Sequence, residues 1–313
     1  MTSEDIFQAL HERAYAAMGR GALAEAAEAF AALLREEPEQ RNYHYMKGLA
    51  HKYLRDWPAS LRHNLRSIKL SGGKDNEAAH WNAAIAATAM GRWPDVRRLW
   101  KDCGLRMPKG DGPIEHDFGL AVVRLNPWGD GETVFARRID PVRARLLNVP
   151  LAESGHRFGD IVLHDGASLG RRVHANGEAP VFNELTRLVA SEFRTFAVFV
   201  SSPDSESLQP LLEATAPGIG YIEDWTQSVR TLCLRCSYGV VHTRPHQESE
   251  GWDPDRNLGI AAQSPPAVEK LLKDWARSGK KRRVEAIESR ECDVPEPAEG
   301  QVWWRGPEED DKD

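Results

Sequence analysis

The feature that most constrains the fold is an internal repeat in the first third of the chain. Residues 4–105 are rich in alanine and have apolar residues at helical spacing. Three segments align with offsets of 34 residues (30 to 64) and 36 residues (64 to 100). A period of this length predicts pairs of antiparallel helices that stack on one another. The equivalent positions are Gly21, Arg55 and Gly91; Leu23, Trp57 and Trp93; Ala26, Ser60 and Val96; and Phe30, Asn64 and Trp100.

This pattern resembles the tetratricopeptide repeat over about a third of the chain. In that family a small residue near position eight lets the two helices of a pair touch, and the equivalents here are Ala14, Gly48 and Ala84. The chain departs from the family at Val96, which is larger than the small residue expected there, and at Gly72, which follows the second repeat in place of a closing proline. The resemblance implies a helical-hairpin domain over residues 1–106, with a concave groove lined by the first helix of each pair.

Aligned with the family, the groove has an aromatic and apolar surface. Only Lys52 and Asn82 match the lysine and asparagine with which some such repeats hold a terminal carboxylate, so no carboxylate clamp is expected. Two interpretations remain open: the groove binds a partner, or it is filled by later residues of the chain, such as Trp303 and Trp304. The expected groove residues are Tyr15, Tyr45, Leu49, Tyr53, Trp81 and Ile85.

Residues 107–190 form a second region with short apolar runs separated by turn residues, a pattern that predicts a small β-barrel. We expect the strand at 171–174 to pair with the strand that ends at Asp165-Gly166. The region is also rich in polar side chains, and a metal-dependent hydrolase would use His156, Asp160 and His164. Because no nucleophile or base can be assigned around these residues, arginine–carboxylate pairs that hold the barrel are the favoured interpretation.

Residues 191–294 repeat a strand–helix–strand order, as in the ferredoxin-like fold. Strands are predicted at 195–200, 218–225, 258–262 and 283–288, and helices at 208–215 and 267–277, with Pro210 limiting how early the first helix begins. Two right-handed crossovers would place both helices on one face of a four-stranded antiparallel sheet. The chain is therefore expected to be a multi-domain protein of α and α+β classes.

An insertion over residues 226–256 carries four ligand-type side chains within fourteen residues. They are Cys233, Cys236, His242 and His246, a C2H2-type set that is typical of tetrahedral zinc. Four protein ligands leave no open position for a substrate, so we expect a structural Zn²⁺. The alternative, a redox-active cysteine pair, would require a thioredoxin-like unit that the surrounding sequence lacks.

Charge and hydropathy bound the function. The 313-residue chain has a formal net charge of −6, no long apolar run and no visible signal peptide, so we expect a cytoplasmic protein that neither enters membranes nor coats nucleic acid. The tail, residues 295–313, ends in an acidic run that is expected to be disordered.

The leading hypothesis is a non-enzymatic protein–protein interaction protein. Its general appearance and its Ala/Arg/Gly-rich composition suggest a bacterial immunity protein or adaptor whose partner is a toxin domain. One alternative is a nucleic-acid-binding protein that uses the ferredoxin-like sheet and the zinc loop, with Phe196, Phe199 and Tyr221 as candidate stacking residues. Another alternative is the hydrolase centred on His156, Asp160 and His164.

Overall fold

The computed structural model describes residues 2–72, 76–232, 234–239 and 251–306. Its N-terminal region consists of six helices, each packed against the next along the chain. The helices are α1 (Ser3–Gly19), α2 (Leu23–Glu36), α3 (Arg41–Tyr53), α4 (Trp57–Leu70), α5 (Glu77–Ala89) and α6 (Trp93–Asp102).

The turns inside the three helix pairs confirm the sequence alignment. Gly21, Arg55 and Gly91 all have left-handed backbone conformations, with φ of 83°, 58° and 65°. Glycine adopts this conformation without steric cost, whereas Arg55 adopts it against the preference of a residue with a Cβ. The small equivalents Ala14 and Ala84 are fully buried where paired helices meet.

Gly48 has the same role between α3 and α4. A Cβ at Gly48 would lie 2.6 Å from Asn64 Nδ2, so only glycine leaves room for the Asn64 side chain. Asn64 itself is fully buried and donates to the Ser60 carbonyl at 2.9 Å.

The middle region is a five-stranded barrel with one additional strand. The order is β1-β2-β3-β4-β6, and β6 returns to pair in parallel with β1 and close the barrel. The strands are β1 (Leu120–Leu125), β2 (Glu132–Arg138), β3 (Arg143–Leu146), β4 (Ile161–His164), β5 (Gly170–His174) and β6 (Gly177–Val189).

The predicted partner of β5 was wrong. β5 forms a hairpin with β6, in which Gly170 faces Val181 and His174 faces Gly177, and β4 pairs with the other half of β6. The reason is the length of β6, which at 13 residues accommodates both β4 and β5 as antiparallel neighbours.

The C-terminal region contains an antiparallel sheet in the order β10-β7-β9-β8. Both long helices pack on one face of it, where Phe196, Leu208 and Leu272 belong to a single apolar core. The elements are β7 (Arg194–Ser201), α7 (Ser205–Leu212), β8 (Ile219–Asp224), the short helices α8 (Trp225–Ser228) and α9 (Leu234–Ser237), β9 (Asp255–Ala262), α10 (Pro265–Arg277) and β10 (Arg283–Ser289).

The expected effect of Pro210 on α7 was wrong. The helix begins at Ser205, where the Asp204 side chain accepts from the Ser207 backbone N–H at 2.8 Å, and Pro210 lies inside it. Because proline has no backbone N–H, Pro210 removes one hydrogen-bond donor of this eight-residue helix, after its first turn. The cap at Asp204 stabilises the start of the helix.

The core does not stop at the predicted region boundaries. One apolar cluster includes Phe30 and Trp100 of the helices, Leu163 and Leu185 of the barrel, and Trp303 of the tail. The helices and the barrel therefore pack as one body, and the C-terminal segment crosses between them.

Candidate binding groove between the helices and the barrel

A groove of about 690 Å³ lies between α3 and α5 on one side and the barrel and tail on the other. The helices contribute Tyr45, Leu49, Trp81 and Ile85, spaced so that each lies on the inner face of its helix. The opposite wall is formed by the turn at residues 165–167 and by Trp304 and Arg305. The groove is therefore bounded by three separate parts of the chain.

A buried charge pair forms the floor of the groove. Lys52 Nζ lies 3.1 Å from both carboxylate oxygens of Asp165, and the Tyr53 hydroxyl donates to Asp165 Oδ2 at 3.1 Å. The Lys52 and Asp165 side chains are only 4% and 9% exposed, so the pair is shielded from solvent. Burial, together with the adjacent carboxylate, raises the pKa of Tyr53 well above its usual value. The tyrosine therefore stays a hydrogen-bond donor at all physiological pH values.

The barrel holds Asp165 in a fixed position. Its backbone N–H donates to the Asn183 carbonyl at 2.8 Å, and its own carbonyl lies 2.7 Å from His164 Nδ1. The next residue is Gly166, where a Cβ would lie 2.6 Å from the Trp81 ring. Glycine at this position thus allows the barrel turn to lie directly against α5.

The tail fills the other end of the groove. The Trp304 ring stacks on Tyr53 with centroids 4.5 Å apart, and Trp303 is buried edge-on between Tyr53 and Trp128. The Trp303 carbonyl accepts from Asn183 Nδ2 at 2.7 Å. The anchoring of these tryptophans against the helices agrees with the internal interpretation of the groove, although a lined cavity remains beside them.

The groove brings together five of the six residues that the alignment with the repeat family selected. Tyr45, Leu49, Tyr53, Trp81 and Ile85 line it, and Tyr15 does not. Tyr15 instead packs on His11, at a centroid distance of 4.7 Å, and edge-on against Phe30. The first helix pair therefore contributes to the groove through Met18, at the end of α1, and not through Tyr15.

The structure brings together two of the three hydrolase candidates, His156 and Asp160, and leaves His164 apart. His156 Nε2 lies 3.0 Å from Glu184 Oε2, and His156 Nδ1 lies 3.6 Å from Asp160 Oδ2. His164 is not part of this cluster, because it stacks on Phe182 at a centroid distance of 4.4 Å. The side chains of His156, Asp160 and Glu184 are fully buried.

The two histidines have opposite electrostatic settings. Burial lowers the pKa of His156, but the carboxylates of Asp160 and Glu184 outweigh this effect and raise it to about 9. His156 is therefore a cation that offsets two buried acids. Burial lowers the pKa of His164 to about 4, so His164 is neutral at pH 7. Arg187 Nη1 lies 3.4 Å from Asp160 Oδ2 and supplies a second cation. An enclosed cluster of two cations and two acids fits a structural role in the barrel.

Three of the four predicted zinc ligands, Cys233, His242 and His246, lie outside the described residues. Cys236 is half-buried in α9, and its carbonyl accepts from Arg172 Nη2 at 3.0 Å. Within the described ranges, no group of three or more histidine, cysteine or acidic side chains is placed to hold a metal ion. The zinc site stays a prediction.

Residues 237–239 of the insertion pack on the barrel. Arg124, a buried residue of β1, donates to Ser237 Oγ at 2.8 Å and lies 4.5 Å from the centre of the Tyr238 ring. The backbone of Gly239 accepts from Arg171 N–H at 3.1 Å. The barrel therefore holds the insertion at these three residues, and the sequence did not indicate this contact.

The barrel also covers the sheet face that does not carry the long helices. Trp225 Nε1 donates to the Val149 carbonyl at 3.0 Å, and Glu223 accepts from Val149 N–H at 2.8 Å. Phe199 belongs to this interface, and Tyr221 stacks on Phe158 of the barrel, whereas Phe196 lies in the core under the helices. The three candidate base-stacking residues thus do not form one open platform.

Sequence patterning missed the contact between Lys52 and Asp165. The sequence marks each residue separately: Lys52 is a charged residue among the groove positions, and Asp165 is a turn residue before glycine. A lysine on the apolar face of a predicted helix signals a carboxylate partner, because a buried ammonium group needs one. The partner lies 113 positions away, and no spacing rule identifies it.

No protein-family model matches the chain. A search of curated proteins also finds no match. The described residues include no helix that is long and apolar enough to cross a membrane.

Proposed function

We propose that this protein is a non-enzymatic interaction protein and that the groove lined by Tyr45, Leu49, Trp81 and Ile85 is its binding site. The observation that carries the proposal is the aromatic and apolar cavity that remains after Trp303 and Trp304 have packed. Concave apolar surfaces with a few fixed polar groups are where proteins bind ligands and peptide segments.

The polar groups of the groove favour a segment without a strong net charge. Lys52 and Asp165 neutralise each other, and Glu77 and Arg305 have opposite signs. Asn82 and Tyr45 offer neutral hydrogen-bonding groups between apolar walls. An apolar or aromatic side chain flanked by backbone amides is the ligand that this surface complements.

We also propose a fold class for each of two regions and a bound metal ion. The stacked helix pairs support membership in the tetratricopeptide-like repeats, and the sheet order β10-β7-β9-β8 with two helices on one face supports a ferredoxin-like domain. Cys233, Cys236, His242 and His246 would hold a structural Zn²⁺ in the insertion. A cytoplasmic immunity or adaptor role, with one dedicated protein partner such as a toxin domain, agrees with the net charge of −6.

The groove can be tested by affinity purification from the native host with wild-type bait and two matched variants. Leu49→Gln places a polar group in the groove, whereas Leu54→Gln changes an exposed leucine just beyond the end of the same helix. We expect one stoichiometric partner that is retained by Leu54→Gln and lost by Leu49→Gln. Retention by both variants would move the interface elsewhere, and a pool of unrelated proteins would argue against a dedicated partner.

The zinc proposal is tested by metal analysis of the purified protein. We expect one zinc per chain, and its loss in the Cys233→Ser and His246→Ala variants, because each removes one of four ligands. Cys292→Ser, which changes an exposed cysteine outside the insertion, is the control. Undiminished zinc in both ligand variants would place the metal elsewhere.

A further inference from the structure

A second surface lies on the opposite side of α3 from the groove. His44, Lys47 and His51 recur at spacings of three and four residues, whereas Leu49 and Tyr53 point into the groove. Neighbouring side chains of α2 and α4 complete a cationic surface that we call the histidine rim. It consists of Arg35, His44, Lys47, His51, Arg62 and His63.

The hydrogen bonds of the rim fix the protonation of its central pair. His44 Nε2 lies 3.1 Å from the Pro38 carbonyl, which can only accept, so this nitrogen carries the proton. His44 Nδ1 is then the acceptor for His63 Nδ1–H at 3.0 Å. His63 Nε2 is left as a basic nitrogen, and it can take up a proton without breaking the existing bond. The His51 ring lies parallel to His63 with centroids 5.9 Å apart.

Positive charge on the rim exceeds the negative charge that faces it. The nearby carboxylates are already engaged, since Asp56 lies 3.2 Å from His51 Nδ1 and Glu39 lies 3.1 Å from Arg66. In the part of the chain that the structure describes, no ion pair joins Arg35, Lys47 or Arg62 to a carboxylate.

Burial and, to a lesser extent, neighbouring cations lower the pKa values of two groups of the rim. Burial, followed by Arg62 and Arg35, lowers the pKa of Lys47. Burial, followed by Lys47, His44 and Arg62, lowers the pKa of His63 to about 3. An anion placed among these groups would relieve the repulsion and raise both pKa values.

We propose that the histidine rim binds an acidic segment of a partner protein through its unpaired cations and His63. The supporting observation is charge complementarity in a chain whose net charge is −6. Lys47 and Arg62 act on the His63 imidazole and Arg35 acts on Lys47, and none of the three forms an ion pair with a carboxylate among the described residues. A nucleic acid would require cations tracking a longer run of phosphates, and the overall negative charge repels it. A short run of aspartate and glutamate matches both the size and the sign of the rim.

The site is distinct from the groove, so it provides a second contact surface on the helical region. Carboxylates of the bound segment lie against Arg35, Lys47 and Arg62, and one of them accepts a hydrogen bond from protonated His63. Binding therefore takes up a proton and strengthens as the pH falls.

The test is fluorescence anisotropy of a labelled hexaglutamate peptide with the full chain at low salt. We expect saturable binding that tightens several-fold between pH 8 and pH 5 and weakens when salt shortens the electrostatic range. Arg35→Gln combined with Arg62→Gln, both exposed, should weaken binding by about tenfold. The control, Arg98→Gln combined with Lys101→Gln on α6, removes the same charge elsewhere and should bind as the wild type does.

Three outcomes would overturn the proposal. They are the absence of saturable binding at low salt, equal weakening in the α6 control, and displacement of the peptide by a lower concentration of a single-stranded oligonucleotide. His63→Gln gives a further check, because it should flatten the pH dependence while weak binding persists. If that variant fails to fold, the exposed arginine pair decides the matter alone.

Discussion

At the scale of single residues, the barrel depends on the charge of His156. It lies between Asp160 and Glu184, and all three side chains are shielded from solvent. Glu184 also accepts from the backbone N–H of Asn126 at 3.0 Å, which links the cluster to the turn after β1. Removal of one member of such a cluster leaves the others as uncompensated buried charges.

We predict that His156→Gln lowers the free energy of unfolding at pH 7 by about 3 kcal/mol or more. In the wild type, the folded pKa is raised to about 9 from a usual value of 6.5. The contribution of His156 is therefore fully present below pH 6.5 and is lost as the pH rises through 9. Urea unfolding between pH 6 and pH 10 should show this decline in the wild type and in the exposed control His116→Gln, but not in His156→Gln. An equal slope in all three proteins would contradict the assignment.

At the scale of elements, the contact between α3 and α4 has a glycine on one helix and a polar residue on the other. In the first and third repeats, the corresponding positions pair Ala14 with Phe30 and Ala84 with Trp100, each a small residue with a large apolar one. In the second repeat, Gly48 faces Asn64, which leaves no space for a methyl group.

We predict that Gly48→Ala destabilises the protein by about 1–3 kcal/mol through overpacking against Asn64. Asn64→Ala removes the obstructing side chain, so the cost of Gly48→Ala should be smaller in the Asn64→Ala background. Unfolding measurements on the four proteins of this double-mutant cycle should give a coupling of about 1 kcal/mol. Additive effects would mean that the two helices separate instead of clashing.

At the scale of the whole molecule, the tail connects the C-terminal sheet to the helical region. After β10, the tail passes Trp128, whose Nε1 donates to the Pro295 carbonyl at 2.8 Å. It then reaches the turn between α1 and α2, where Gly300 N–H donates to the Gly21 carbonyl at 3.2 Å. It then buries Trp303 between the helices and the barrel. The tail thus contacts the first helix pair at Gly300 and the second at Trp303 and Trp304, which pack on Tyr53 of α3.

We predict that Trp303→Ala costs about 3–5 kcal/mol of stability, as expected for a buried tryptophan. The adjacent control, Val302→Ala, changes a partly exposed side chain and should alter stability by about 0.5 kcal/mol or less. Thermal unfolding would show the difference as a lower Tm for Trp303→Ala alone. Equal Tm values would mean that the tail contributes no packing energy to the folded molecule.

Much of the local structure was predictable, because it depends on residues close together in the sequence. Helical spacing, the glycines at the turns of the first and third helix pairs, and the order of strands and helices along the C-terminal region all follow from short-range patterns. The barrel closure was only partly predictable, since the length of β6 and its two antiparallel partners depend on pairings between distant segments.

The candidate site was likewise predictable in its local part and not in its long-range contacts. The resemblance to the repeat family selected Tyr45, Leu49, Trp81 and Ile85 as groove residues, and helical periodicity places each pair on one face of its own helix, α3 or α5. The closure of that surface by Asp165 and Trp304, with Tyr15 outside it, depends on how distant parts of the chain pack. Those contacts join residues more than a hundred positions apart, and their existence depends on packing and charge compensation in the folded chain, which no local pattern encodes.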